Sequence, residues 1–467
     1  MISNMNKKNI GYIVIAGFAS LVISSCKVTR PYQSPAVNTS TLFRDAAATD
    51  TNSIANLDYT KIFTDTILQR LIADGIARNL DLQMAYTRIQ QAQAYYLQSR
   101  AAFLPSLDAN TSINRSKFSA GQGFGARPPI TQYQLGVSSS WEADIWGRLS
   151  SSRRASLASL LQTEAATKAV QTGLVANIAN FYFVLLALDQ QLAITQQTVI
   201  NWDTTVQTMQ ALKEAARVTE AAVVQSEAQR YAAEVTIPDL KQSIRETENA
   251  LSILLALSPG SINRSRLESQ SSIAVLQTGV PVQLLSNRPD VLQAELNYRY
   301  FFELTNVART YFYPSLVITG SAGLSSLSFG QLFNTASIAA SIGAGLTQPI
   351  FNRRLNKTRL EVAKAQQQEA LFNFQNSLLN AGREVSDALS LYETAIEKRD
   401  IRRNQMIALT RSVEYSLELL RNGFAIYPEV ITARQSLLQA ELGSVNDRLQ
   451  QLQATVNLYR SLGGGWR

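Results

Sequence analysis

The 467-residue sequence contains no histidine and a single cysteine, Cys26. Without histidine, the commonest general base and the commonest nitrogen ligand for metals are both missing. A lone cysteine can close no internal disulfide. No GxSxG, GxxxxGK[ST] or HExxH pattern occurs, so no serine has an evident activating partner, no phosphate cradle is present and no zinc helix is legible. Charge is sparse as well: 17% of residues are charged, and the 43 Lys and Arg lie scattered among 35 Asp and Glu, without a run of the kind that holds nucleic acid. Beyond the first residues the most hydrophobic patch is "FYFVLLAL" at 181–188, far too short to span a bilayer and suited to a helix–helix core. Together these absences argue against an enzyme, a metalloprotein and a nucleic-acid binder.

The first residues are a leader. Lys7 and Lys8 precede the apolar stretch "IGYIVIAGFASLVI" at 10–23, which is too short for a spanning helix, and "ISSC" at 23–26 follows. Small residues directly before a cysteine at this place resemble a bacterial lipobox, in which the thiol is acylated and becomes the first residue of the mature chain. An ordinary cleaved leader with an incidental cysteine is the alternative. Lipid on Cys26 explains the cysteine count without redox or metal chemistry, and no other cofactor is expected. Lys27 rather than aspartate comes next, which favours sorting to the outer membrane. Losing Lys7 and Lys8 takes the formal net charge from +8 to +6.

The remaining chain repeats itself. "FLPSLDANTSIN" at 103–114 returns as "FYPSLVITGSAG" at 312–323, about 209 positions later (Pro105 against Pro314). "DIWGRL" at 144–149 is answered by "PIFNRRL" at 349–355, and "LLALSPG" at 254–260 by "LYRSLGGGW" at 458–466. Three markers in one order, about 205 residues apart, mean duplication of a domain-sized unit rather than a solenoid repeat.

After Pro105 the pattern alternates with period two: Leu107, Ala109, Thr111 and Ile113 on one face, Asp108, Asn110, Ser112 and Asn114 on the other. The same alternation recurs at 133–142, 315–325 and 338–347, so each copy carries one hairpin: 106–114/133–142 and 315–325/338–347. Each strand is about the 9 to 11 residues that cross a bilayer when tilted, with an apolar face and a Ser-, Gly- and Asn-rich face, as in a lipid-facing, water-lined wall. A soluble sandwich with the apolar face inside is the alternative. Four strands cannot close a barrel, and open edges in lipid are prohibitive, so the chain is expected to oligomerise.

Elsewhere Ala, Gln, Leu and Glu dominate, a helical composition. Leu371, Phe374, Leu378, Ala381, Val385, Ala388, Tyr392 and Ala395 step by three and four, and Leu438, Leu442, Val445, Leu449, Leu452, Val456 and Tyr459 resume the series. This spacing predicts coiled-coil-like packing. Pro238 predicts a kink in the first copy. Proline-free runs of roughly 65 to 70 residues predict helices about 100 Å long. "LRNGFAIYPEVITAR" at 420–434 reads as the turn between a long helix and its return.

With these residues in view, the sequence resembles the outer-membrane efflux proteins of the TolC-like family, in the lipid-anchored branch serving resistance-nodulation-division pumps. The resemblance rests on "RPDVLQAE" at 288–295, "FYPSL" at 312–316, "NLYRSLGGGW" at 457–466 and the lipobox. It implies a mainly α fold with a transmembrane β-barrel portion. A homotrimer would form a twelve-stranded barrel in outer-membrane lipid, continued by a twelve-helix periplasmic tube. It also implies two partners, a periplasmic adaptor (membrane fusion protein) and an inner-membrane pump. The expected organisation is a lipoprotein signal peptide at 1–25, a lipidated segment at 26–60, a first repeat at 61–260, a connector at 261–287 and a second repeat at 288–467. Gate candidates are Glu429, as a ring of like charges at the tip, with Arg421 and Arg434 near enough in sequence to pair with it, and Thr432. At this tip the family often reads "DVLDAQ" where this chain has "EVITAR", and the first copy's tip at 214–229 lacks the glycine. A type I protein-secretion channel and a coiled-coil envelope lipoprotein without a channel are the rival functions.

Overall fold

The structure is a computed structural model describing residues 28–37, 42, 44, 53–117, 128–270 and 283–466. Cys26, the leader and parts of the lipidated segment and connector lie outside the described residues. In chain order the main elements are α1 (Thr66–Arg78), α2 (Leu80–Ala101), β1 (Ser106–Ser116), β2 (Ile130–Ala143), α3 (Arg148–Glu214), α4 (Glu220–Glu234), α5 (Thr236–Leu254), α6 (Pro289–Thr310), β3 (Ser315–Ser326), β4 (Ile338–Thr347), α7 (Leu355–Arg421) and α8 (Tyr427–Ser461). Two compact units emerge. One draws on Met1–Pro35, Ile89–Gln162 and Ala294–Asn373, the other on Ala36–Arg88, Thr163–Gln293 and Phe374–Arg467. Each takes segments from both halves of the duplication.

The first unit carries the sheet. Its strands are antiparallel throughout, in the order β1-β2-β3-β4, so the β2–β3 pairing joins one repeat to the other. Register keeps the two faces intact across all four strands. Ala109 opposes Val137, Val137 opposes Ala322, and Ala322 opposes Ala340 on the apolar face. Asp108, Ser138, Ser321 and Ser341 align on the polar one. Polar ladders stitch that second face: Asn110 Nδ2 donates to Ser138 Oγ (2.6 Å), Gln132 Nε2 to Ser325 Oγ (3.1 Å), and the Ser321 and Ser341 hydroxyls meet at 2.8 Å. On the apolar face Leu107, Ile113, Ile342 and Leu346 are exposed, Ile342 at 86%. No second layer covers that face among the described residues, so the sandwich alternative does not hold.

The seam spacing materialises in the second unit. Phe374, Leu378, Ala381, Val385, Ala388, Tyr392 and Ala395 are all buried along α7, as are Val445, Leu452, Val456 and Tyr459 along α8. Part of α3 is long and apolar enough to cross a membrane, yet Ile178, Ala179, Tyr182, Leu185 and Leu186 are nearly inaccessible within this unit. That patch is core. Where the kink is expected the helix is interrupted: α4 and α5 part at Val235, three residues before Pro238, whose ring and missing N–H disrupt the preceding turn.

A buried lock closes the second unit. Pro289 and Asp290 begin α6, and Arg288, just before them, is 7% exposed. Its Nε and Nη2 donate to the two oxygens of Asp290 (2.9 and 2.6 Å), while Nη1 donates to Glu384 (2.8 Å) and to the Ser461 carbonyl (3.0 Å). The Trp466 indole N–H donates to the Asn287 carbonyl (3.0 Å), and Lys168 sits 4.3 Å from the Trp466 ring centre. The "RPD" and "SLGGGW" markers are thus two sides of one joint.

Candidate functional site

Two places carry the functional reading, the sheet in one unit and the helix tips in the other. The sheet's apolar band is bordered by aromatic side chains at both ends of β2. At the strand-to-helix end, Trp141 donates its indole N–H to the Phe103 carbonyl (2.9 Å), Trp146 donates to the Pro314 carbonyl (2.7 Å), and the Trp146 and Tyr313 rings lie 5.0 Å apart. At the other end Tyr133 meets Phe329 edge-on at 5.6 Å, and Phe329 meets Phe333 at 6.5 Å. Tyr133 and Trp141 are about 26 Å apart along the strand at 3.3 Å per residue, which at a barrel strand's tilt of about 35–45° is about 20 Å of height, somewhat less than the roughly 25 Å apolar band of an outer-membrane wall. Indole and phenol rings favour such borders because one end is apolar and the other wet. Phe329 and Phe333 were not singled out from sequence, although the uncharged "SLSFGQLF" at 326–333 is a signal for them.

At the tips, α3 and α7 end in the same way. Arg217 N–H donates to the Leu212 carbonyl and Ala216 N–H to Lys213, both at 2.8 Å; Phe424 N–H donates to Leu419 (2.9 Å) and Gly423 N–H to Leu420 (3.1 Å). Both are Schellman closures needing one left-handed residue. Gly423 supplies it at φ 81°, and in the glycine-lacking first copy Ala216 supplies it at φ 54°. Met209, Ala222, Val223, Leu420 and Val430 form one core joining the two tips, and Trp202, Ala233 and Ile431 form another. A left-handed alanine is strained by about 1–2 kcal/mol, while glycine adds about 0.4–1 kcal/mol of unfolded-state entropy cost. Ala216→Gly is therefore expected to slow amide exchange across 212–220 by a few-fold, and Gly423→Ala to quicken it at the second tip.

The gate candidates are separated rather than clustered. Glu429 lies in the first turn of α8, exposed and without a side-chain partner among the described residues. The pairing of Arg421 and Arg434 with Glu429 does not form. Arg421 ends α7 and pairs instead with Glu418, one turn back, at 3.9 Å. Arg434 lies five residues past Glu429, about 140° around the helix, and its guanidinium sits 5.9 Å from the Trp202 ring centre. Its Nε is buried without a hydrogen-bond partner among the described residues, and burial lowers its pKa. Thr432 donates to the Pro428 carbonyl (2.9 Å), a bond within its own helix.

A bilayer-length amphipathic sheet bordered by aromatics, in one chain with long duplicated helices, is the make-up of a mainly α outer-membrane protein with a β-barrel part. The chain belongs to the outer membrane efflux protein family, whose sequence model matches residues 71–257 and 280–464. It is 27% identical over 457 residues to the cation efflux system protein CusC of Escherichia coli O6:H1, covering 96% of this chain and 97% of that protein. It is 28% identical over 465 residues to the outer membrane protein OprJ of Pseudomonas aeruginosa, covering 97% and 96%. Among solved structures, the outer-membrane channel OprN shares the fold at a TM-score of 0.89, with 24% identity over 94% of this chain and all of that one. A CusC structure gives 0.84 at 26% identity, over 94% of this chain and all of that one. The chain is an outer-membrane efflux channel.

Proposed function

We propose that this protein is the exit duct of a tripartite efflux system. It works as a homotrimer that passively conducts small molecules delivered by an inner-membrane resistance-nodulation-division pump through a periplasmic adaptor. The observation that carries this reading is the sheet: four strands, one mainly apolar face, and two edges, β1 and β4, with no partner strand among the described residues. Unpaired backbone donors and acceptors in hydrocarbon cost several kcal/mol each, so the edge of one copy must meet the opposite edge of the next. Three copies bring twelve strands, within the range of known outer-membrane barrels. The polar ladders then line water, and the helices form the periplasmic tube. Native mass spectrometry in detergent tests the assembly: the mass of three chains is expected, and a stable folded monomer would overturn it. Relatives of equal similarity are named for cation, solvent and toluene efflux, so we place substrate choice in the pump rather than in the duct.

Two further assignments belong to this reading. Cys26 carries lipid, as "ISSC" implies, and Thr29, three residues later, lies against Gly147 at the strand-to-helix end of the sheet, so the anchor and the wall meet the same membrane. Mass spectrometry of the mature N-terminus should find an acylated Cys26; a free unmodified terminus elsewhere would sink the assignment. Glu429 forms a ring of three exposed carboxylates at the tip, where like charges select cations. In planar bilayers Glu429→Gln is expected to reduce cation selectivity and divalent block, whereas unchanged selectivity would leave Glu429 only its favourable place at a helix start.

A further inference from the structure

The corner between β4 and α7 is built unlike a soluble turn. Ile350 is 98% and Phe351 86% exposed, and two arginines follow, each with left-handed backbone: Arg353 at φ 53° and Arg354 at φ 67°. At the matching corner of the first copy a glycine, Gly147, takes the left-handed position at φ 77°. Arginine is strained there, and strain of this kind persists where something beyond the local fold requires it. Lys357 and Arg359 extend the charge into the first turns of α7, which holds no acidic residue in its first turn. Cations at a helix N-terminus oppose the helix dipole, so this end of α7 adds its own positive potential to four exposed cationic side chains.

Nearby carboxylates do not neutralise them. Glu142 is taken by Arg148, Glu303 by Arg154 (2.8 Å), and Asp144 accepts the Leu149 and Ser150 N–H groups (2.8 Å each) that open α3. Among the described residues only Glu361 reaches the corner, 3.3 Å from Arg354. Arg353 and Lys357 have no carboxylate partner among the described residues, and Arg359 lies over the Tyr311 ring at 4.8 Å.

We propose that residues 350–359 dock the anionic phospholipid of the membrane leaflet on the helix side of the barrel. Ile350 and Phe351 enter the acyl region, and Arg353, Arg354, Lys357 and Arg359 take the phosphates. The inference rests on the barrel reading above. Apolar side chains beside clustered cations fit a lipid surface: the former insert, and the latter bind charged head groups within a Debye length. A free phosphate would use the cations and leave Ile350 and Phe351 bare.

The test uses the full-length protein in detergent, incubated with equal phosphatidylglycerol and phosphatidylcholine of matched chains and weighed by native mass spectrometry. The wild-type trimer is expected to retain phosphatidylglycerol in about tenfold excess. Arg353→Gln with Lys357→Gln and Arg359→Gln should bring the ratio close to one. Arg399→Gln with Arg403→Gln, exposed cations of the other unit, should leave the excess intact. Ile350→Ser with Phe351→Ser should lower retention of both lipids. A wild-type ratio of one, an excess unaffected by the triple substitution, or full competition by soluble glycerophosphate would overturn the proposal. So would protection of 350–359 from amide exchange by trimerisation in phosphatidylcholine alone, since a second copy would then cover the corner. The same spectra separate the two readings: a trimer without lipid preference refutes only the lipid site, and a folded wild type that gives no trimer refutes both.

Discussion

Arg288→Ala is expected to destabilise the second unit by about 2–3 kcal/mol: Arg288 is buried, but the Asp290 and Glu384 side chains stay 42% and 28% exposed, so the loss falls short of the about 3–5 kcal/mol of a fully buried pair. The substitution leaves Asp290 and Glu384 facing each other's charge without their shared cation, and strips the Ser461 carbonyl of a donor. Arg288→Lys should recover little of this, because an ammonium cannot reproduce the fork that reaches both Asp290 oxygens. Amide exchange at 287–293 and 458–464 reads the effect, and a loss below about 1 kcal/mol would show the lock to be superficial. Burial alone would push the Asp290 carboxyl up, but the Arg288 guanidinium and backbone N–H groups outweigh it and hold it below the usual range. A depressed carboxyl contributes stability that is present above its unfolded value, about 3.9, and is lost as pH falls through the lower folded one. Acid dissociation of the joint is therefore expected only below about pH 4, and Asp290→Asn should abolish that dependence.

Ile342→Arg is the second large effect, about 2–4 kcal/mol against insertion if the side chain lies near the bilayer midplane. Ile342 sits in mid-β4 on the apolar face, opposite Gly320, and Ala109 holds a comparable place in β1. An arginine there must cross hydrocarbon to reach water, whereas Ser138→Arg, on the face with Asp108 and Ser321, should reach the lumen. The readout is the fraction of folded protein recovered in lipid at graded urea. Equal losses for the two substitutions would mean that the faces have been assigned wrongly.

The strands were legible because their information is local: period two at 107–113 and 133–141 already separates the faces that the register later aligns. The α7 seam was legible for the same reason, its three-and-four steps needing no knowledge of the partner helix. The Arg288 joint was visible only as two unrelated markers, since nothing within either one says that Arg288 meets Ser461, 173 positions away. Ala216 gave no sign of its left-handed backbone because alanine is an ordinary helix former. At the tip, proximity in sequence suggested ionic partners for Glu429. Helical phase and the Trp202 ring decide otherwise for Arg434, and Glu418 does so for Arg421.

The β2–β3 pairing has a consequence for synthesis. It matches Trp141 with Ile318 and Gly136 with Gly323, partners about 180 residues apart, while each hairpin closes over a much shorter loop. Chain closure over such a span is slow compared with local pairing. The first hairpin must therefore wait, with an unpaired edge and an apolar face, until the second repeat has left the ribosome. During that interval it is a template for wrong pairing. Duplication supplied a matching second hairpin, and it left the first one without its neighbour in the sheet until β3 has been made.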